Sequence, residues 1–255
     1  METVKAKKFL GQHFLKDEHI AERIARSLSG KESRLLEIGP GMGVLTKYLV
    51  DNLAIDFRCV EIDRESVAYL HEHYPTLQVV EGDFLKMDLN SLFHDSFAII
   101  GNFPYNISSQ ILFRVFDHRN LIPEVVGMFQ KEVAERVAAA PGSKIYGILS
   151  VLLSAFYNIE YLFTVDEHVF NPPPKVKSAV IRLTRNNVTS LECDEKLFVQ
   201  TVKVGFNQRR KTMRNALKPM GRDLSDIPET LLQKRAEQLS VADFILITNR
   251  LKETL

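Results

Sequence analysis

The chain has 255 residues, 45% of them hydrophobic, with a net charge of +1, which suits one large domain and a small one. No run of about 18 apolar residues exists to cross a membrane, and the basic start Met1–Lys8 lacks the apolar stretch of a signal peptide. Cys59 and Cys193 have no metal-ligand spacing, so no metal site is expected, and two isolated cysteines suit a reducing cytosol.

Strand and helix patterns alternate from residue 34. Leu35–Ile38 reads as a strand, residues 44–53 as a helix, Phe57–Glu61 as a strand and Arg64–His73 as a helix. Strands follow at 77–81, 98–101 and 125–129, with helices at 108–116 and 131–139. This alternation predicts a parallel sheet covered on both faces. Residues 146–157 then read as a largely apolar helix, and 159–165 and 179–183 as strands. Between those strands, Asn171-Pro-Pro-Pro-Lys-Val-Lys177 must be a rigid loop, because three prolines fit neither a helix nor a central strand. The composition turns polar at Asn186-Asn187, and the pattern is helical from Asp194 onward. The expected organisation is a basic arm over 1–16, a large domain over 17–187 and a helical domain over 188–255.

Glu37-Ile-Gly-Pro-Gly-Met-Gly43 follows the first strand, where Gly39 and Gly41 let the backbone approach a ligand closely. Such a loop also opens dinucleotide sites, but their third glycine is replaced here by Val44. Glu61 ends the second strand, where a carboxylate accepts from ribose hydroxyls. Asp83 follows the third strand, where it can accept from an adenine amine while Phe84 covers the ring. Taken singly, Glu61 could be a solvated strand end and Asp83 a plain turn. Their shared placement at successive strand ends favours a ligand.

Gly101-Asn-Phe-Pro-Tyr-Asn-Ile-Ser-Ser109 follows the fourth strand. Adenine's exocyclic nitrogen is a poor nucleophile because its lone pair is delocalised into the ring. Two acceptors for its hydrogens draw that lone pair out of conjugation. The Asn102 side-chain oxygen and the Phe103 carbonyl, held extended by Pro104, can supply them, and Tyr105 can stack on the base. Alignment and acceptors would carry the catalysis, without a nucleophilic side chain. A plain Pro-Tyr turn capping a strand is the competing reading.

With these segments, Phe9-Leu-Gly-Gln-His-Phe-Leu15, Phe170-Asn-Pro-Pro-Pro-Lys-Val-Lys-Ser-Ala-Val180 and Phe206-Asn-Gln-Arg-Arg-Lys-Thr-Met-Arg-Asn215, the chain closely resembles the rRNA adenine N6,N6-dimethyltransferases, in particular those of the small subunit. The resemblance implies a Rossmann-like α/β methyltransferase sheet, mostly parallel with an antiparallel edge strand, and a small all-helical C-terminal domain. It implies S-adenosyl-L-methionine as cofactor, held by His13, Leu15, Gly39, Glu61, Asp83 and Asn102. It makes Phe170 a clamp for the target base beside Tyr105. Its substrate would be two adjacent adenosines in the 3′-terminal hairpin of 16S rRNA within an immature 30S subunit, and the chain would be a cytoplasmic monomer.

Charge is uneven: +3 over residues 1–16, −8 over 17–166 and +6 over 167–255. Such a chain can grip a polyanion at its ends, although chance imbalance on solvated faces is the plainer reading. Lys203, Arg209, Arg210, Lys211 and Arg214 lie in a stretch without acidic residues, which suits phosphate contacts. Lys5, Lys7 and Lys8 read as a mobile arm that could order on RNA. The alternatives are an Erm-type enzyme acting on 23S rRNA, a non-catalytic nucleic-acid-binding assembly factor, and, more remotely, a nicotinamide oxidoreductase.

Overall fold

The computed structural model describes residues 4–52 and 54–253. Residues 1–3, Leu53 and 254–255, on which parts of the arm, the 44–53 helix and the last-domain reading fall, lie outside the described residues.

The elements, in chain order, begin with the short β1 (Phe14–Leu15) and α1 (Glu18–Ala25), which the Asp17 side chain caps at Ile20 N–H. The βα alternation follows with β2 (Arg34–Ile38), β3 (Asp56–Glu61), α2 (Arg64–His73), β4 (Gln78–Glu81), β5 (Ala98–Asn102), α3 (Ser108–Asp117), β6 (Glu124–Gln130) and α4 (Lys131–Val137). After it come α5 (Ile148–Ser154), β7 (Tyr157–Val165), β8 (Phe170–Asn171), β9 (Ser178–Arg185) and α6 (Glu195–Asn207). The chain ends in α7 (Met213–Leu217), β10 (Arg222–Asp223), α8 (Glu229–Leu232), α9 (Val241–Arg250) and β11 (Lys252–Glu253).

Seven strands form one sheet in the order β4-β3-β2-β5-β6-β9-β7. Pairs β2/β3, β3/β4, β2/β5 and β5/β6 are parallel, and β9 runs antiparallel to β6. The antiparallel strand, expected at the edge, is therefore inserted one place inward, with β7 outside it. β5 and β6 are buried almost throughout, as strands covered on both faces must be. Strand order reverses between β2 and β5, and the loops after β2, β3, β4 and β5 carry the candidate residues.

Two local readings change. Among the described residues of the 44–53 segment there is only a 3-10 turn at Thr46–Tyr48 among irregular turns. The apolar 146–157 segment is helical only over α5, and Tyr157 already belongs to β7.

The chain separates into two compact units, one drawn from residues up to Ala134 and from Ile159–Arg185, the other from Glu135–Asn158 and from Asn186 onward. The segment 135–158, read as part of the large domain, groups with the second unit because α5 packs against α6 and α9. Among its described residues that unit is mostly helical, with the β10/β11 pairing, a Thr212–Arg235 bridge and the first two residues of β7 beside the helices. Its capping residues are legible in the sequence: Asp194 accepts from Leu197 N–H on α6, and Ser240 with Asp243 forms a capping box on α9. The arm belongs to the first unit, where Phe14 pairs with Asn171 and Leu15 with Phe170.

Candidate active site

At the strand ends of the first unit, one cavity brings together Gly39, Gly41, Glu61, Asp83 and Phe84 with Asn102, Phe103, Pro104 and Tyr105. Residues 10–14 of the arm line it as well. The glycine turn is held from two sides. Gly39 N–H donates to the Val60 carbonyl at 2.9 Å, and Gly41 N–H donates to the Glu61 carboxylate at 3.0 Å. Gly41 has φ +57°, and a Cβ there would stand 2.8 Å from the Phe14 ring. Glycine is thus required both by the backbone and by the arm lying against it.

Glu61 is 4% exposed and accepts from Gly41, Ile62 and Asp63 N–H. Burial pushes its carboxyl above the usual range, partly opposed by those amides. A carboxylate offers about four lone-pair sites, so three amides leave capacity for a hydroxyl. Asp83 is half-buried and accepts from Leu85 N–H at 3.0 Å, forming the turn after β4. Phe84 is buried beside it, under the Arg114 guanidinium 5.6 Å from the ring centre.

At the end of β5, the Asn102 Nδ2 donates to the His13 carbonyl at 3.0 Å. A carbonyl only accepts, so this bond fixes which end of the amide faces the arm and leaves Oδ1 as a directed acceptor. Phe103 N–H donates to the Met128 carbonyl at 3.1 Å. Among the described residues no donor reaches the Phe103 carbonyl. The Phe103 ring is 1% exposed and lies against Gly101 and Gly127, 4.9 Å from the Phe129 ring. This packing holds the turn from beneath. Tyr105 is half-buried, its hydroxyl bonded to Ser178 Oγ. Burial raises the phenol's pKa, partly offset by Ser178.

The arm carries two side chains that the sequence did not single out as part of the site. Lys7 Nζ pairs with Asp63 and, at 3.1 Å, with Glu65. Gln12 Nε2 donates to Asp63 at 3.1 Å and Gln12 Oε1 accepts from Lys7 N–H. Burial would raise the Asp63 carboxyl, but the bonds from Lys7, Gln12 and Glu65 N–H outweigh it and hold it low. An Asp just before a helix is a capping signal that could have pointed to Asp63, whereas nothing local marks its partners 51 and 56 positions away. Lys7, read as part of a mobile arm, is therefore tied down by two carboxylates. The His13 ring lies over Tyr105, centroids 5.2 Å apart, with Nδ1 2.8 Å from the Pro172 carbonyl.

Four expected site residues are placed otherwise in this structure. Phe170, expected to clamp the target base, is 1% exposed and belongs to the apolar core with Leu15 and Val165, because the β1/β8 pairing turns it inward. Leu15 is off the main cavity and lines a smaller one with Glu37 and Asn102. Arg209, expected to contact phosphate, spends its guanidinium on Glu237 at 2.8 Å and on the Lys144 and Tyr146 carbonyls. Arg214 is paired with Glu229. Arg210 and Lys211 are exposed in the second unit, and Lys203 is exposed on α6.

The groups lining the main cavity fit a nucleoside with a polar tail: carboxylates that can accept from ribose and amine, an aromatic face and a bare glycine backbone. Among the described residues, no group of three metal-ligating side chains occurs and no helix is long and apolar enough to cross a membrane.

The family model described as ribosomal RNA adenine dimethylase matches residues 3–253. The chain is 61% identical to "Ribosomal RNA small subunit methyltransferase A" of Cytophaga hutchinsonii, covering 98% of this chain and 99% of the relative. It is 59% identical to the protein of the same description from Bacteroides thetaiotaomicron, covering 100% and 97%. Among solved structures, a dimethyladenosine transferase from Plasmodium falciparum superposes with TM-score 0.76 at 27% identity, covering 92% of this chain and 96% of that one. The 23S rRNA methyltransferase ErmE superposes with TM-score 0.71 at 25% identity, covering 93% and 99%.

Proposed function

The chain belongs to the ribosomal RNA adenine dimethylases, and from that premise we propose that it converts two adjacent adenosines near the 3′ end of 16S rRNA to their N6,N6-dimethyl forms. S-adenosylmethionine, when bound, supplies the methyl group on an electrophilic sulfonium. Glu61 would hold its ribose, Asp83 its adenine amine and Phe84 its ring, along the Gly39–Gly41 backbone.

The observation that carries the reading is the orientation of Asn102. Its nitrogen is committed to His13, so Oδ1 and the Phe103 carbonyl stand as two acceptors beside the Tyr105 ring. An adenine amine placed there donates both hydrogens, and its lone pair is freed from the ring. The acceptors are preorganised, so no reorganisation is needed as the nitrogen becomes tetrahedral. Tyr105 holds the extruded base by stacking, since a paired adenine hides its amine.

Relatives at 59–61% identity bear a small-subunit description, against 25% for the 23S enzyme, and this favours 16S rRNA. We further assign the substrate to an immature 30S particle, met by a monomer in the cytoplasm. Asn102→Ala is expected to cut methyl transfer to undermethylated small subunits by on the order of 10²-fold or more while leaving particle binding near wild type. Full activity in that variant removes the role of Asn102. Wild-type protein that modifies protein-free 23S RNA but not small subunits would favour the Erm-type reading, and failure to bind S-adenosylmethionine would favour the non-catalytic one.

A further inference from the structure

A second groove, of about 730 Å³, adjoins the first and shares with it the arm residues 11–13 together with Tyr105 and Asn106. That size is in the range of small-ligand sites. Its far wall is the proline loop, Pro172–Pro174 and Val176, with Val176 46% exposed. Lys8 of the arm and Lys175 of the loop line it, and no acidic residue does. Among the described residues neither lysine is paired with a carboxylate, whereas their neighbours Lys7 and Lys177 are paired with Asp63 and Asp166. The Gln130 side chain offers an amide donor and acceptor at the end of β6.

These groups have the chemistry of a single-stranded nucleotide site. Flat pyrrolidine faces and an exposed valine give a base something to lie on. Two uncompensated ammonium groups suit the phosphates, which position a strand without reading it. Primary amide groups can meet a base edge. The groove adjoins the cavity at Tyr105, so a strand with one base stacked there can run directly into it.

We propose that this groove holds the nucleotide directly adjoining the target adenosine, its base against Pro172–Val176 and its phosphate between Lys8 and Lys175. This rests on the reading of Asn102–Tyr105 as the methylation site. The groove thereby fixes which way the strand threads past the acceptors, so that the neighbour is seated before the target is reached.

The test uses the full-length protein with p-benzoylphenylalanine in place of Val176, irradiated with undermethylated small ribosomal subunits, and primer extension to map the crosslink. Crosslinking within two nucleotides of the methylated adenosine is expected; crosslinks confined to remote helices overturn the proposal. In parallel, the Lys8→Ala/Lys175→Ala double variant is expected to raise KM for the particle about tenfold and to lower the salt slope of binding by roughly two, with S-adenosylmethionine affinity unchanged. These lysines are not buried, so folding should survive. Unchanged KM and slope overturn the phosphate assignment even if the Val176 variant fails to fold. Wild-type protein that transfers no methyl group to the particles overturns the functional reading and this inference together; normal transfer with remote crosslinks overturns the inference alone.

Discussion

Tyr105 has two separable parts. Its ring faces the cavity while its hydroxyl is fastened to the buried Ser178. If the ring does the work, Tyr105→Phe should keep kcat within a few-fold, whereas Tyr105→Ala should lose the stacking contact, roughly 1–3 kcal/mol, or about 5- to 150-fold in kcat/KM. Equal losses in the two variants would assign the function to the hydroxyl instead. At this scale the sequence was informative about place where a residue type and a strand end coincide, since Glu61, Asp83 and Asn102 all line one cavity. It was silent on direction. An aromatic before three prolines reads the same whether it faces a base or the core, and only the pairing of Leu15 with Phe170 decides that it faces the core. Arg209 and Arg210 likewise look equivalent in the chain, yet Arg209 is tied to Glu237 and to two carbonyls.

Among the elements, β5 and β6 determine where the acceptors stand. A Cβ on Gly127 would lie 2.2 Å from the Phe103 ring and 2.7 Å from Phe129, and one on Gly101 would lie 2.7 Å from the Ile38 carbonyl. Gly127→Ala must therefore displace Phe103, whose backbone carries the second acceptor. We expect overpacking of about 1–3 kcal/mol, seen as a melting temperature lower by several degrees, together with at least a tenfold fall in kcat. A variant that melts and turns over like wild type would show that the Phe103 ring does not set the turn. The parallel strands and α2 were legible because apolar runs alternate with capped helical stretches, and Arg64–His73 is observed with the expected ends. The 146–157 segment was not, because a buried helix and a buried strand share an apolar composition and no period separates them. The place of β9 inside the edge was also beyond local pattern, being a choice among sheet neighbours.

For the whole molecule, charge and its burial give two expectations. Arg210→Ala should lower the salt slope of RNA binding by about one, whereas Arg209→Ala should chiefly destabilise the second unit; the reverse outcome would exchange their roles. Glu37 is buried behind the glycine turn, bonded to Thr46 and Cys59, and burial pushes its carboxyl up to about 7 from an ordinary 4.5. The folded chain therefore keeps this proton to higher pH than the unfolded one. The associated stability is present in full below about pH 4.5 and is lost as pH rises through about 7. Glu37→Gln, which cannot ionise, should gain on wild type in urea unfolding between pH 5 and pH 8, by on the order of 3 kcal/mol at most; parallel curves would mean that the carboxyl is already charged at pH 5. One last consequence concerns the order in which the protein is made. The strand partner of Phe14–Leu15 is Phe170–Asn171, so a nascent chain must be about two-thirds synthesised before that strand of the arm can pair. Until then the early strands can assemble, but a chain released prematurely would carry the glycine turn and Asn102 without the strand pairing that fastens Phe14 and His13 against them.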